Sequence, residues 1–161
     1  MFGLSAKTTK SINLRPLKNV DMSPVLNSAA EIVRKNIRKR FKDGTDVNGS
    51  PLTPLKPKTI AAKKKAGYAS PELPLTAKGN LAENQLIERA TKSVQRAIVY
   101  ISTSGKNYKG LQADILYGYH DSGAGNLPAR KPFGIADNPD RKEIADYFHR
   151  FITRIVLGLG K

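Results

Sequence analysis

Cysteine is absent from this 161-residue chain, so disulfides and thiolate-based metal sites are excluded. The absence fits a reducing compartment. No apolar run approaches the roughly 18 residues that a membrane helix needs. Phe2-Gly3-Leu4 is too short for a secretory core and meets Lys7 and Lys10 almost at once. Acidic residues are few, 13 against 28 lysines and arginines, and the formal charge is +15. The imbalance is uneven: residues 1–65 carry 15 basic and 4 acidic side chains. A basic half points to a polyanion, an acidic protein surface, or simple solubility.

Catalytic signals are equally scarce. There are only two histidines, His120 and His149. His120 with Asp121 and Ser122 has no nucleophile-elbow glycines around it. His120, Asp121 and Asp114 match no metal-ligand spacing. Gly123-Ala124-Gly125 precedes no lysine–serine pair, which a phosphate loop requires. Asp43, Asp46 and Asn48 echo a calcium loop, but its twelfth position is Pro54 and cannot supply the bidentate acid. Asp137, Asp140 and Glu143 gather where acids suit a helix N-terminus. The expectation is a protein without catalysis, cofactor or metal.

What is present reads as one α+β domain over residues 21–161, preceded by an arm at 1–20. The arm is flexible or ordered by a partner, and Ile12 and Leu14 alternate as in a short strand. Ser23-Pro24 opens a helix over 24–42, with serine as cap and Val25, Ala29, Ile32, Val33, Ile37 and Phe41 on one stripe. Its opposite face carries Arg34, Lys35, Arg38, Lys39 and Arg40. Residues 43–80 are broken by Gly44, Gly49, Pro51, Pro54 and Pro57. Within them Leu52 and Leu55 plug onto the core or a partner, and Thr59 to Ala66 forms a short helix bearing Lys63, Lys64 and Lys65.

Leu81 to Ala90 is weakly helical. Ala97 to Ile101 is β-forming, bounded by Ser104-Gly105 and Asn107, and Val94 fits an earlier strand with a turn near Gln95-Arg96. Ala113 to Tyr119 reads as a further strand, with Ile115, Tyr117 and Tyr119 on one face. Residues 121–135 form a second loop. Asn138-Pro139 opens a last helix with Ile144, Ala145, Phe148, Ile152, Ile155 and Val156 as its apolar stripe. The predicted fold is a small antiparallel sheet of three or four strands. It packs against a long N-terminal helix and a C-terminal helix, with long loops.

Three stretches carry a family likeness. The first is Phe41-Lys42-Asp43-Gly44 with Asp46, Gly49, Pro51, Leu52, Pro54 and Leu55, then Thr59 and the lysines. The second is Leu75-Thr76 with Gly79, Asn80 and Leu81. The third is Tyr117, His120 and Gly123, then Leu127-Pro128-Ala129-Arg130 and Phe133-Gly134. In this order the chain resembles the phage virion morphogenesis family, the tail-completion or head–tail joining proteins of Mu-like and related tailed phages.

The resemblance implies a non-catalytic morphogenesis factor at the neck or the head-proximal end of the tail, met in the host cytoplasm during assembly. It implies a homo-oligomeric ring, often of six subunits, beside neck, connector or tail-tube proteins, with DNA passing nearby in the channel. Arg130 fits a bidentate donor to a carboxylate across a subunit border, with Leu127, Pro128 and Phe133 beside it. The rival reading is intramolecular, with Phe133 in the core and Arg130 pairing within the chain. The alternative function is nucleic-acid binding through Arg34, Lys35, Arg38, Lys39 and Lys63 to Lys65.

Overall fold

The structure is a computed structural model, and it describes residues 19–77, 80–83, 85–101, 111–137 and 139–158. The predicted arm up to residue 18, the Gly79 element, the 104–107 turn and the Asn138 cap lie outside them.

Helix α1 spans Ser23–Asp43. Ser23 does not cap it: the Asp21 carboxylate accepts from the Ser23 amide at 2.9 Å, and Pro24 occupies the first turn. Val25, Ala30, Val33, Ile37 and Phe41 form its buried stripe, while Ile32 is only half-buried. The helix stops at Gly44, which is left-handed at φ 67° and donates to the Arg40 carbonyl. A side chain there would meet Leu73 at 3.1 Å. Glycine is therefore favoured by conformation, and a larger residue would also press on Leu73 from the loop after α2.

Helix α2 spans Pro57–Lys65, starting two residues earlier than Thr59 because Pro57 suits a first turn. A short α3 covers Asn80–Glu83, and strand β1 follows at Gln85–Glu88. The predicted helical stretch from Leu81 to Ala90 is thus mostly strand and loop. Strand β2 spans Ile98–Ile101 and pairs antiparallel with β1, placing Gln85 opposite Ile101 and Leu86 opposite Tyr100. Val94 lies in the connecting loop, where its amide donates to the Thr91 hydroxyl.

Helix α4 spans Ala113–Ser122, where a strand was predicted. The alternation of Ile115, Tyr117 and Tyr119 coexists with a helical spacing. Ala113, Leu116 and Tyr117 sit at i, i+3 and i+4 and pack on the core, while Ile115 and Tyr119 face outward. Tyr117 donates to Asp121 one turn on, and Gly123 closes the helix with φ 70°. A Cβ at Gly123 would stand 3.0 Å from the Ala129 amide nitrogen, so the loop folds back directly over this residue.

Helix α5 spans Pro139–Val156. Ile144, Phe148, Ile152, Ile155 and Val156 are half-buried, Ala145 is exposed, and Asp140 is its buried residue.

The predicted architecture is therefore corrected. Among the described residues the sheet is a two-stranded ribbon, not three or four strands. The two long helices pack on each other rather than sharing one sheet face, and the ribbon and α3 pack along α1. The core joins Val33, Ile37 and Phe41 to Leu81, Ile101 and Ala113, with Tyr117, Phe133 and Ile144 packed around them. A buried ion pair, Arg40 with Asp140, locks α1 to α5. Arg40 also donates to the Pro132 and Gly134 carbonyls, and Asp140 accepts from Asn36 and from the Ala136 amide.

Candidate functional site

Residues 127–134 contain most of the sequence-predicted contact set, and the structure divides it. Leu127 is 41 % exposed, Pro128 is half-buried, and Arg130 is only 5 % exposed. Phe133 packs on the core, its ring 5.6 Å from that of Tyr117 and tilted by 55°. The Phe133 amide donates to the Tyr117 hydroxyl. Burial, with the neighbouring Asp121 carboxylate, pushes that phenol well above its ordinary range.

Arg130 points inward. Its Nε donates to the Thr53 carbonyl at 2.9 Å and its Nη2 to the Pro54 carbonyl at 3.2 Å. Its amide donates to the His120 carbonyl at 2.7 Å, and the Val47 amide donates to the Lys131 carbonyl at 2.8 Å. Together these bonds pin the loop to α4 and to the segment after α1. Burial lowers the pKa of Arg130. Burial first, and then the Arg130 charge, lower the pKa of His120. Among the described residues, His120 Nδ1 is buried without a hydrogen-bond partner, as is Asp114 Oδ1.

A cleft of about 190 Å³ opens between these segments, lined by Asp46, Leu52, Thr53, Arg130 and Lys131 among others. Leu52 is buried and Leu55 half-buried. Asp46 accepts the Asn48 and Ser50 amides, which makes the 46–50 turn.

Comparisons with protein-family models, curated proteins and solved structures all return no match. Among the described residues no helix is long and apolar enough to cross a membrane.

The basic residues predicted as a polyanion contact do not form one group. Arg34 pairs with Glu31 at 2.6 Å, Lys39 with Asp43, and Lys64 with Glu72 at 3.0 Å. Lys35 and Lys65 are exposed, and Arg38 is exposed with a long 3.4 Å bond to the Glu83 carbonyl. Lys63 turns inward and donates to the Ser70 and Leu73 carbonyls at 3.2 and 2.6 Å, and burial lowers its pKa. It closes the loop after α2.

Sequence reasoning missed Lys131 and Asp46 as cleft residues and Ile115 with Tyr119 as an outward apolar pair. The pair is visible in the sequence as an i, i+4 spacing once 113–122 is taken as helix.

Proposed function

We propose that this chain is a structural assembly protein of a tailed-phage virion, acting without a catalytic step in tail completion or head–tail joining. It works as the subunit of a closed ring, six being the number that the family resemblance implies. Its place is the neck or the head-proximal end of the tail, reached from the host cytoplasm.

The observation that supports this reading is an outward apolar pair on α4, followed in the chain by an exposed apolar residue on the next loop. Ile115 and Tyr119 stand one turn apart on α4, 42 % and 44 % exposed, and Leu127 follows on the loop. Backbone bonds from Ala124 to Tyr119 and from Leu127 to Ala124 keep that loop against the helix end. Clustered exposed apolar side chains rimmed by polar ones mark protein contact surfaces. The stitched loop beneath them needs little ordering on binding, which favours association.

The test pairs particle mass with stability. The double variant Ile115→Asp, Tyr119→Asp should keep its thermal midpoint, lose the ring mass and fail to yield complete particles. Variants that complete particles as well as the parent chain overturn the reading.

A second reading rests on Lys35, Arg38, Lys39 and Lys42, which share one exposed stripe of α1. Such a stripe suits a phosphate backbone. A salt-sensitive mobility shift with nonspecific duplex DNA would favour it, provided that replacing Lys35 and Lys42 by glutamate abolishes the shift.

A further inference from the structure

Three buried or nearly buried cations tie this fold together, and their partners differ. Arg40 meets the Asp140 carboxylate. Lys63 is held by two carbonyls and lies close enough to Glu72 to feel its charge. Arg130 meets carbonyl oxygens alone, and none of the ion pairs among the described residues includes it. Carbonyl bonds offset part of the desolvation of a buried guanidinium but leave its net charge uncompensated.

The unmatched charge also has an unmatched edge. Nε and Nη2 reach Thr53 and Pro54, while Nη1 has no partner among the described residues. Arginine carries five N–H donors in a planar fork, and the Nη1–Nη2 end of that fork matches a carboxylate. Arg130 lines the cleft of about 190 Å³, and Lys131 stands exposed on the same lining.

We propose that the cleft between residues 46–54 and 129–131 receives a carboxylate from an acidic side chain of a neighbouring protein subunit, with Arg130 as its floor and Lys131 as its rim. The source of the carboxylate rests on the assembly reading above; the chemistry of the cleft does not. A carboxylate fits better than a phosphate because Asp46 shares the lining. A single negative charge is repelled less by Asp46 than a phosphate dianion would be. Asp46 is itself turned toward the backbone amides of Asn48 and Ser50, which fixes its charge at one side.

His120 supplies an independent reporter. The Arg130 charge helps to hold its pKa down. An anion seated on Arg130 cancels part of that effect, so the His120 pKa rises when the cleft is filled.

The experiment titrates the full chain with sodium acetate, with inorganic phosphate and with sodium chloride at matched ionic strength. It follows the Arg130 Nε–H and the His120 ring by NMR. Acetate should give a saturable shift at Arg130 and raise the His120 pKa, and chloride should do neither. Lys131→Ala should weaken acetate about two- to five-fold, the range for one exposed charge contact. Arg130→Lys should remove the fork and lose the saturable response. If Arg130→Lys fails to fold, Lys131→Ala and the His120 titration still decide. No saturation by acetate overturns the proposal. So does phosphate saturating where acetate does not, which would assign the cleft to a nucleic-acid backbone. An acetate response unchanged in Lys131→Ala overturns it as well. Saturation by acetate in a chain that never leaves the monomer mass would instead overturn the assembly reading and leave the cleft standing. Rings that form while acetate fails to saturate would overturn the cleft alone.

Discussion

Replacing Asp140 by alanine removes the acceptor that holds three parts of the fold together. Asp140 is 2 % exposed and receives Arg40 Nη2, Asn36 Nδ2 at 3.0 Å and the Ala136 amide at 2.8 Å. Its loss leaves the guanidinium of Arg40 buried with, among the described residues, only the Pro132 and Gly134 carbonyls as partners. Breaking one side of a buried pair costs about 3–5 kcal/mol. For a domain of this size each kcal/mol moves the thermal midpoint by about 2–4 °C, so the drop should be about 6–20 °C. Urea denaturation at fixed pH measures the free-energy loss and a thermal scan the midpoint, with the urea slope checked for two-state behaviour. The double variant Arg40→Met, Asp140→Leu should recover much of the loss, because two matched apolar side chains leave no stranded charge. An Asp140→Ala loss under about 1 kcal/mol at unchanged slope would refute the reasoning. The α1–α5 junction would then not depend on this charge pair.

Three further outcomes follow from other parts of the structure. His120 has its pKa lowered in the fold, so the unfolded chain binds its proton more readily. Stability should be full above the ordinary histidine pKa of about 6.5 and fall as the pH drops from there toward the folded value. His120→Gln should flatten that fall in a series of thermal midpoints. Gly123→Ala should destabilise by about 1–2 kcal/mol, since the residue is left-handed and a Cβ would press on Ala129. An unchanged urea midpoint would count against that close approach. Lys63→Ala should raise amide exchange across residues 66–76 while leaving α1 protected, because the loop would lose its two carbonyl anchors.

How much of this was legible in the sequence depends on which forces act locally. Val25, Val33, Ile37 and Phe41 keep a helical period with no competing alternation, and all four are buried on α1. Residues 113–119 carry both periods at once. Their outcome as helix is set by tertiary packing of Ala113, Leu116 and Tyr117, which no local pattern states. Of the expected strands, the one at Val94 is a loop and the one at 113–119 a helix, while β1 lies in the stretch expected to be helical. The candidate site was legible as a segment but not in its orientation. Arg130 turns inward because the Thr53 and Pro54 carbonyls lie beneath it, and their nearness depends on Gly44 and the 46–50 turn bringing the chain back. Lys63 shows the same limit. A lysine triplet reads as solvated, yet one member is captured by a loop closing over it.

The five residues 130–134 act as a strap. Arg130 is fastened to α4 through the His120 carbonyl, Lys131 to the turn after α1 through Val47, and Pro132 and Gly134 to α1 through Arg40. These fastenings run to different elements and lie side by side along the strap. A pull on the loop therefore meets bonds to three different elements, so no single junction carries it alone. A chain gripped at this strap would deform as one body. A chain gripped at the far end of α5, where Leu157 is 63 % exposed, would yield turn by turn.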